Sequence, residues 1–345
     1  METLRLDIDH GLRTFRLALA LELGAETVAL VGPSGAGKSS VLRAVAGLLR
    51  PERGVIAFGG ETWLDTARGI DVPPEQRRVG LVFQEYALFP HLDVRGNVAF
   101  GASDRTRVPE LLERFRIGHL ASARPRDISG GERQRVALAR ALARDPEVIL
   151  LDEPLSALDA YTRSAVRGEL HELLSTLGLP TLLVTHDFED AATLADRVGV
   201  IVDGSILQLG RPEELVAAPS DRFVASFTGA NLLPGMASPG SDGLTEVALD
   251  SGGIVWTADG GSGRVAVAVY PWEVSISREM PSDSAINHLR APVVSIVPLG
   301  NRVRVRVGPV TAEVTAGSAE RLGLREGDVV VASFKATGAR LLSVA

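Results

Sequence analysis

Apolar residues alternate with polar or small ones along RTFRLALALEL (Arg13–Leu23). Phe15, Leu17, Leu19, Leu21 and Leu23 share one side of the alternation, which is the period of a half-buried strand. Three short runs have no polar face at all: TVALV (Thr27–Val31), EVILL (Glu147–Leu151) and TLLVT (Thr181–Thr185). They read as strands covered on both sides. Between them the period lengthens. Lys38–Leu49 reads as a helix stopped by Pro51, and Glu132–Arg144 as a second helix. Tyr161–Leu177 is a third, with Asp159 available as its N-cap and Gly178 and Pro180 just beyond its end. Buried strands alternating with helices predict an α/β domain on a largely parallel sheet.

The pattern changes near residue 230. NLLPGMASPGSDG (Asn231–Gly243) is rich in Gly, Pro and Ser and reads as a boundary. Beyond it come GRVAVAVY, APVVSIV, NRVRVRV, VTAEVT, DVVVASF and RLLSVA, short strands separated by turn residues. The expected organisation is an α/β domain over residues 1–229 and an all-β, OB-like barrel or sandwich over 230–345.

A length of 345 residues suits two domains, and an apolar fraction of 45% suits a globular chain with a large core. A net charge of −7 argues against broad electrostatic capture of nucleic acid or anionic lipid. With no cysteine, disulfides, thiolate chemistry and cysteine-ligated zinc are excluded, and a reducing cytoplasm is the simplest setting. METLRLDIDH lacks the apolar segment of a secretory signal, and no apolar run approaches bilayer length.

The chemistry concentrates in a few motifs. GPSGAGKS (Gly32–Ser39) follows a strand and opens a helix, as a phosphate-binding P-loop must. Gly32, Gly35 and Gly37, with Pro33, Ser34 and Ala36 between them, let the backbone turn its N–H groups toward phosphates. Lys38 reaches the β- and γ-phosphates, and the Ser39 hydroxyl suits Mg²⁺. The bland alternative, a glycine loop capping an ordinary helix, does not call for Lys-Ser at this place. VILLDEP ends a buried strand in Asp152 and Glu153, one suited to the magnesium shell and the other to polarising a water. His186 in TLLVTHDFED and Gln84 in LVFQEY also follow strands, and are candidates to sense phosphate and to complete the magnesium shell. ISGGERQRV (Ile128–Val136) supplies a second anion site: Ser129, Gly130 and Gly131 at the start of a helix.

This set, in this order and joined by Ser156-Ala157-Leu158-Asp159, resembles the ATPase subunit of ABC transporters over roughly the first two-thirds of the chain. The resemblance implies a head-to-tail dimer in which the second anion site is for the partner's ATP. Gly32 to Ser40 would form the P-loop. Gln84 would contact Mg²⁺ and relay to a membrane subunit. Ser129, Gly130 and Gly131 would bind ATP in trans, and Ser156 to Asp159 would cross the dimer interface. Asp152 would support Mg²⁺, Glu153 would be the general base, and His186 would hold the γ-phosphate. Glu132 stands where many relatives have Gln. The family stacks an aromatic ring on adenine from its N-terminal hairpin, where Phe15 is the one available, although the alternation assigns it to the core face.

The absence of fused membrane helices and the β-rich C-terminal part point to an importer, implying two permease subunits, an extracytoplasmic binding protein, work at the cytoplasmic face of the membrane, and no nucleic acid. GIDVPPEQRRVGLVFQEYALFPHLDVRGNVAFG (Gly69–Gly101) looks like molybdate importers. From about Ser284 on, SAIN, NRVRVRV, AEVT, LGLREGD and ASFKAT look like a molybdate-binding barrel. There Ser284, Asn287, Lys335 and Thr337 are oxyanion candidates, while Ile286 replaces an arginine common in the family. Tungstate, sulfate, iron(III) and polyamine are the alternative cargoes. A structural dimerisation role for the barrel stands beside the oxyanion role. Two other classes are a soluble ABC protein acting on ribosomes or DNA repair, disfavoured by the single P-loop, and a non-catalytic oxyanion binder, disfavoured by Lys38, Glu153 and His186.

Overall fold

The computed structural model describes residues 2–343, so Val344 and Ala345 of the RLLSVA strand lie outside the described residues. The chain divides into two compact units, Met1–Pro212 and Glu213–Ala345. The break falls before the change of character at 230, because two short helices go with the second unit.

In chain order the first unit contains β1 (Leu4–Gly11), β2 (Arg16–Leu23), β3 (Thr27–Val31), α1 (Lys38–Val45), β4 (Arg53–Phe58), β5 (Glu61–Asp65), β6 (Ile70–Asp71) and β7 (Val79–Val82). Then follow α2 (Val94–Ala99), α3 (Val108–Arg114), α4 (Gly130–Leu142), β8 (Val148–Asp152), α5 (Ala160–Leu177), β9 (Thr181–Thr185), α6 (Phe188–Leu194), β10 (Arg197–Val202) and β11 (Ser205–Gly210). One sheet has the order β11-β10-β3-β9-β8-β7, parallel except at β11. Every residue of β3, β8 and β9 is buried, as expected of parallel strands covered on both faces. The second sheet, β2-β1-β4-β5-β6, is antiparallel. Its strand β2 buries Leu17, Leu19, Leu21 and Leu23 and exposes the residues between them. These leucines pack in one core with Val28 and Leu30 of β3 and Val41 and Leu42 of α1. Each such side chain contributes about 1.5–3 kcal/mol by leaving water.

Helix α1 is shorter than its pattern predicts. It ends at Val45 because Gly47 takes a left-handed conformation (φ 76°) and Leu48 N–H turns back to Arg43 O at 2.8 Å. Arg77, 2% exposed, completes this end by donating to Ala44 O at 2.8 Å and Val45 O at 2.9 Å.

The second unit begins with α7 (Pro212–Ala217) and α8 (Arg222–Phe227), followed by β12 (Asn231–Pro239), β13 (Thr245–Leu249), β14 (Ile254–Thr257), β15 (Gly263–Val269), β16 (Ser275–Ser277) and β17 (Asn287–Leu299). It ends with β18 (Arg302–Val307), β19 (Val310–Thr315), α9 (Ala316–Leu322), β20 (Val329–Phe334) and β21 (Ala339–Ser343). Two antiparallel sheets, β14-β13-β12-β15-β21 and β16-β20-β17-β18-β19, share a core that joins Leu233, Val247 and Val267 to Val305, Val330 and Phe334. The stretch read as a boundary, NLLPGMASP, is β12, the central strand of the first of these sheets. Its prolines are tolerated because the β13 ladder runs only from Gly235 to Pro239: Pro234 lies just outside it and Pro239 at its last pair.

Candidate functional site

The loop after β3 is built around two close approaches. A Cβ on Gly32 (φ 154°) would lie 2.0 Å from Ile201 O, so only glycine lets the loop leave the sheet here. Gly37, at φ 96°, is the N-cap of α1 and turns the chain into the helix. Lys38 is buried, and its Nζ donates to Gly32 O and Pro33 O, both at 2.8 Å. Burial lowers its pKa, while the Glu153 and Asp152 carboxylates oppose that shift.

Asp152 ends β8 opposite α1. Ser39 Oγ donates to Asp152 Oδ1 at 2.9 Å. Burial raises the Asp152 pKa, against the Ser39 hydrogen bond. Glu153 follows in a left-handed conformation (φ 46°), which is uncommon for a residue with a side chain. Its backbone is pinned on both sides: Glu153 N–H donates to Val184 O at 2.8 Å, and Ser156 Oγ donates to Glu153 O at 2.9 Å. The pinned turn aims the carboxylate at His186, which follows β9, and His186 Nδ1 lies 3.0 Å from Glu153 Oε2.

An open cavity of about 520 Å³ collects these groups. Ser34, Gly35, Gly37, Lys38, Ser39 and Ser40 line it from the loop, and Gln84, Glu153 and His186 from the ends of parallel strands. A helix N-terminus, an ammonium and a hydroxyl on one side face a carboxylate, an imidazole and an amide on the other. That arrangement has the chemistry to bind a phosphate chain and to direct a water at its end. The donors Ser39 Oγ and Asp152 are hard oxygens that suit Mg²⁺, a cation that takes few protein ligands and completes its shell with water and phosphate oxygens. Among the described residues no group of three or more His, Asp or Glu side chains could hold a metal by itself.

Ser129, Gly130, Gly131 and Asp159 are not among the described residues lining this cavity. Ser129 is exposed and N-caps α4 in a capping box: its Oγ accepts from Glu132 N–H at 3.3 Å, and Glu132 Oε2 accepts from Ser129 N–H at 2.7 Å and Ser129 Oγ–H at 2.8 Å. These two donors, the backbone one first, hold the Glu132 carboxyl below its ordinary pKa. This helix start is thus separate from the first cavity within one chain. Asp159 is exposed, and its Oδ1 accepts from Thr162 N–H at 3.0 Å at the start of α5, as the sequence pattern predicts.

The sequence does not show how Gln84 is held or where Phe15 lies. Gln84 sits on a segment held at Tyr86 and Ala87, both with positive φ, whose carbonyls accept from Arg140 of α4 at 2.7 Å each. The alternation misassigned Phe15: it precedes β2, is half-buried, and lies with Leu12 beside Gly37, its Cε2 3.5 Å from where a Cβ would stand.

Of the oxyanion candidates in the second unit, Ser284, Lys335 and Thr337 are exposed. Asn287 is fully buried, and its amide is occupied: Oδ1 accepts from Trp256 N–H at 2.6 Å and Nδ2 donates to Trp256 O at 2.9 Å. It stitches β17 to β14, which removes it from the anion set.

The ABC transporter family model matches residues 16–156, and the TOBE domain model matches residues 283–339. The chain is 43% identical over 317 residues to the sulfate/thiosulfate import ATP-binding protein CysA of Mycobacterium tuberculosis, covering 88% of this chain and 82% of that one. The chain belongs to the ATP-binding subunits of ABC importers. This importer ATPase is also 38% identical over 329 residues to the molybdate/tungstate import ATP-binding protein WtpC of Pyrococcus abyssi, covering 90% of this chain and 91% of the relative. Against the spermidine/putrescine import ATP-binding protein PotA of Thermobifida fusca it is 40% identical, covering 80% and 73%. A dimeric ATP-binding cassette solved in a post-hydrolysis state with ADP and Pi matches with a TM-score of 0.50 and 28% identity, over 61% of this importer ATPase and 98% of that chain. Like its relatives, the importer ATPase binds and hydrolyses ATP, and its C-terminal unit carries the TOBE domain.

Proposed function

We propose that two copies of the chain hydrolyse ATP at composite sites and thereby energise import of a tetrahedral oxyanion, molybdate or tungstate. The observation that carries the catalytic part is the convergence of Lys38, Ser39, Gln84, Glu153 and His186 on one cavity. The loop N–H groups and Lys38 hold the β- and γ-phosphates, so Lys38 Nζ exchanges two carbonyl acceptors for phosphate oxygens. Ser39, Asp152 and Gln84 hold Mg²⁺, which neutralises charge on the phosphates when bound. Glu153 orients a water and takes its proton. His186, hydrogen-bonded to that carboxylate, donates toward the γ-phosphate. Ser129, Gly130 and Gly131 close on the phosphate held by the partner copy, which accounts for a second anion site outside the first cavity.

The cargo reading is supported by the kinship with sulfate and molybdate/tungstate import proteins, whose named solutes share one shape and charge, and by the SAIN and ASFKAT stretches of the C-terminal unit. The PotA relative supports a second reading, polyamine, of opposite charge. The partners are two permease subunits and, through them, an extracytoplasmic binding protein. Among the described residues no helix is long and apolar enough to cross a membrane, so in this reading the chain is held at the cytoplasmic face by its permeases. The test is ATP turnover and solute uptake by the transporter reconstituted with its permeases, comparing molybdate, tungstate, sulfate and spermidine. Glu153→Gln should lower turnover by about 10²–10⁴-fold while ATP still binds. A variant as fast as its parent removes Glu153 from the mechanism. Spermidine uptake without oxyanion uptake replaces the cargo.

A further inference from the structure

The segment Ser156–Asp159 and the residue His186 lie on different elements, yet one ion-pair network centred on a buried carboxylate joins the helices that follow them. Asp159 precedes α5. One turn on, Arg163 N–H donates to Asp159 O at 2.8 Å, so Arg163 is fixed to that segment through the helix backbone. Its guanidinium reaches across to α6, where Nε lies 3.0 Å from Asp190 Oδ2 and 3.2 Å from Oδ1, and NH2 pairs with the same carboxylate. The same NH2 lies 3.2 Å from Asp187 Oδ2. A turn further along α5, Arg167 contacts Asp190 Oδ1 at 2.7 Å and Glu189 Oε1 at 2.7 Å. Asp190 is 2% exposed, so two arginines balance one carboxylate taken out of water.

On the α6 side the chain of contacts runs back to the cavity. Asp187 is the residue after His186. Its Oδ1 accepts from Asp190 N–H at 3.1 Å, capping α6, and its own N–H donates to Thr185 Oγ1 at 3.1 Å. The backbone on the C-terminal side of His186 is thereby held by the group that Arg163 grips. His186 in turn meets Glu153, and the turn at Glu153 is held by Ser156, at the start of the segment that ends in Asp159. Thus Ser156–Asp159, α5, the ion pairs, α6, His186 and Glu153 form a closed loop of contacts, and two of its members, Glu153 and His186, line the cavity.

We propose that Arg163 and Asp190, supported by Arg167 and Asp187, are positioning residues that transmit the placement of the Ser156–Asp159 segment to His186, so that docking of the partner copy on that segment sets the imidazole for hydrolysis. A bidentate guanidinium–carboxylate pair suits this task because it fixes orientation as well as distance. The inference rests on the catalytic reading of Glu153 and His186 given above.

The test is steady-state ATP turnover and ATP-driven dimerisation of the full chain. Asp190→Asn keeps the size and removes the charge. Its turnover number should fall by about 10–100-fold, the scale expected when a reacting group is misplaced by about an ångström. Its KM for ATP should stay within about twofold, since Lys38 and the loop N–H groups, which make the other phosphate contacts, are untouched. Asp190→Glu, which restores the charge, should recover most of the rate. Unchanged turnover in Asp190→Asn overturns the proposal, as does a loss matched by an equal loss of ATP affinity, which would mark a role in folding alone. If Asp190→Asn does not fold, Arg163→Lys is read in its place: it keeps a charge but loses the two-point grip, and full activity there overturns the proposal too. Glu153→Gln, run alongside, separates the two claims. If it stays active the catalytic reading fails, whereas if it is inactive beside a normal Asp190→Asn only the transmission fails.

Discussion

Replacing Glu132 by glutamine separates two effects of one carboxylate. Glu132 accepts from the Ser129 N–H at 2.7 Å and from the Ser129 hydroxyl at 2.8 Å. Glutamine keeps the shape and one acceptor oxygen but loses the charge. A charge-assisted hydrogen bond is roughly twice as strong as a neutral one, whose net worth is about 1 kcal/mol. The cap is partly exposed, so solvent screening reduces this, and the stability loss should stay below about 1 kcal/mol. The pH dependence has a definite sign. The folded-state pKa of Glu132 is depressed, so its contribution is present above the unfolded value of about 4.3 and is lost as pH falls through the folded value. The difference between parent and variant should therefore be constant from about pH 6 to 8 and shrink below about pH 4. The second effect concerns the partner's nucleotide. The carboxylate places a negative charge at the N-terminus of α4 and engages the proton that Ser129 would offer a phosphate. Two unit charges about 4 Å apart cost about 1 kcal/mol in water and about 4 kcal/mol near a protein surface. Taking the lower end, about 1 kcal/mol at each of the two composite sites, Glu132→Gln should strengthen ATP-driven dimerisation by roughly 25–30-fold, about 2 kcal/mol in all. Analytical ultracentrifugation against ATP concentration, in the Glu153→Gln background that blocks turnover, measures it. Weaker dimerisation in the glutamine variant, or a stability loss above about 2 kcal/mol, would refute the reasoning.

Arg77→Leu should destabilise the first unit by about 3–5 kcal/mol, because it strips buried carbonyls at the end of α1 of their donor; denaturant unfolding checks it. Asn287→Leu should lower the stability of the second unit by about 1–3 kcal/mol, by unpairing Trp256, without a specific effect on oxyanion response. Lys335→Ala should leave stability within about 0.5 kcal/mol, yet relieve any inhibition of transport ATPase by internal molybdate. Inhibition that persists unchanged in Lys335→Ala excludes that lysine as an anion contact.

The convergence of the candidate catalytic side chains was legible because each lies at or just after the end of a strand whose apolar run is unmistakable, and the strand ends converge once a parallel sheet forms. The P-loop, Asp152, Glu153, Gln84 and His186 need only that topology to meet. The Ser129–Glu132 capping box was legible too, since Ser-x-x-Glu ahead of a helix is its signature. What was not legible depends on partners distant in sequence. Strand β12 was hidden by Pro234, Gly235 and Pro239, which punctuate a loop in sequence, whereas in space Pro234 turns its carbonyl, and so its missing N–H, to the β13 side just beyond the β12–β13 ladder while pairing with Ala266 of β15. Gly235 even allows Ala248 O to approach where a Cβ would clash at 2.5 Å. Asn287 reads as a ligand until its amide is seen to bind the backbone of β14. Arg163 and Asp190 are 27 residues apart, and no motif spacing links them. Only the packing of α5 on α6 gives them a meaning.

The central claim is that Ser129 of one copy completes the site built by Lys38 of the other. Mixed dimers of Lys38→Ala with Ser129→Arg test it most directly, with ATP turnover measured against each homodimer. If the signature faces the partner's P-loop, one composite site in the mixed dimer carries both lesions and the other carries none. The account predicts two nearly inactive homodimers and measurable turnover in the mixture alone. A Ser129→Arg homodimer that turns over at the parent rate would contradict it.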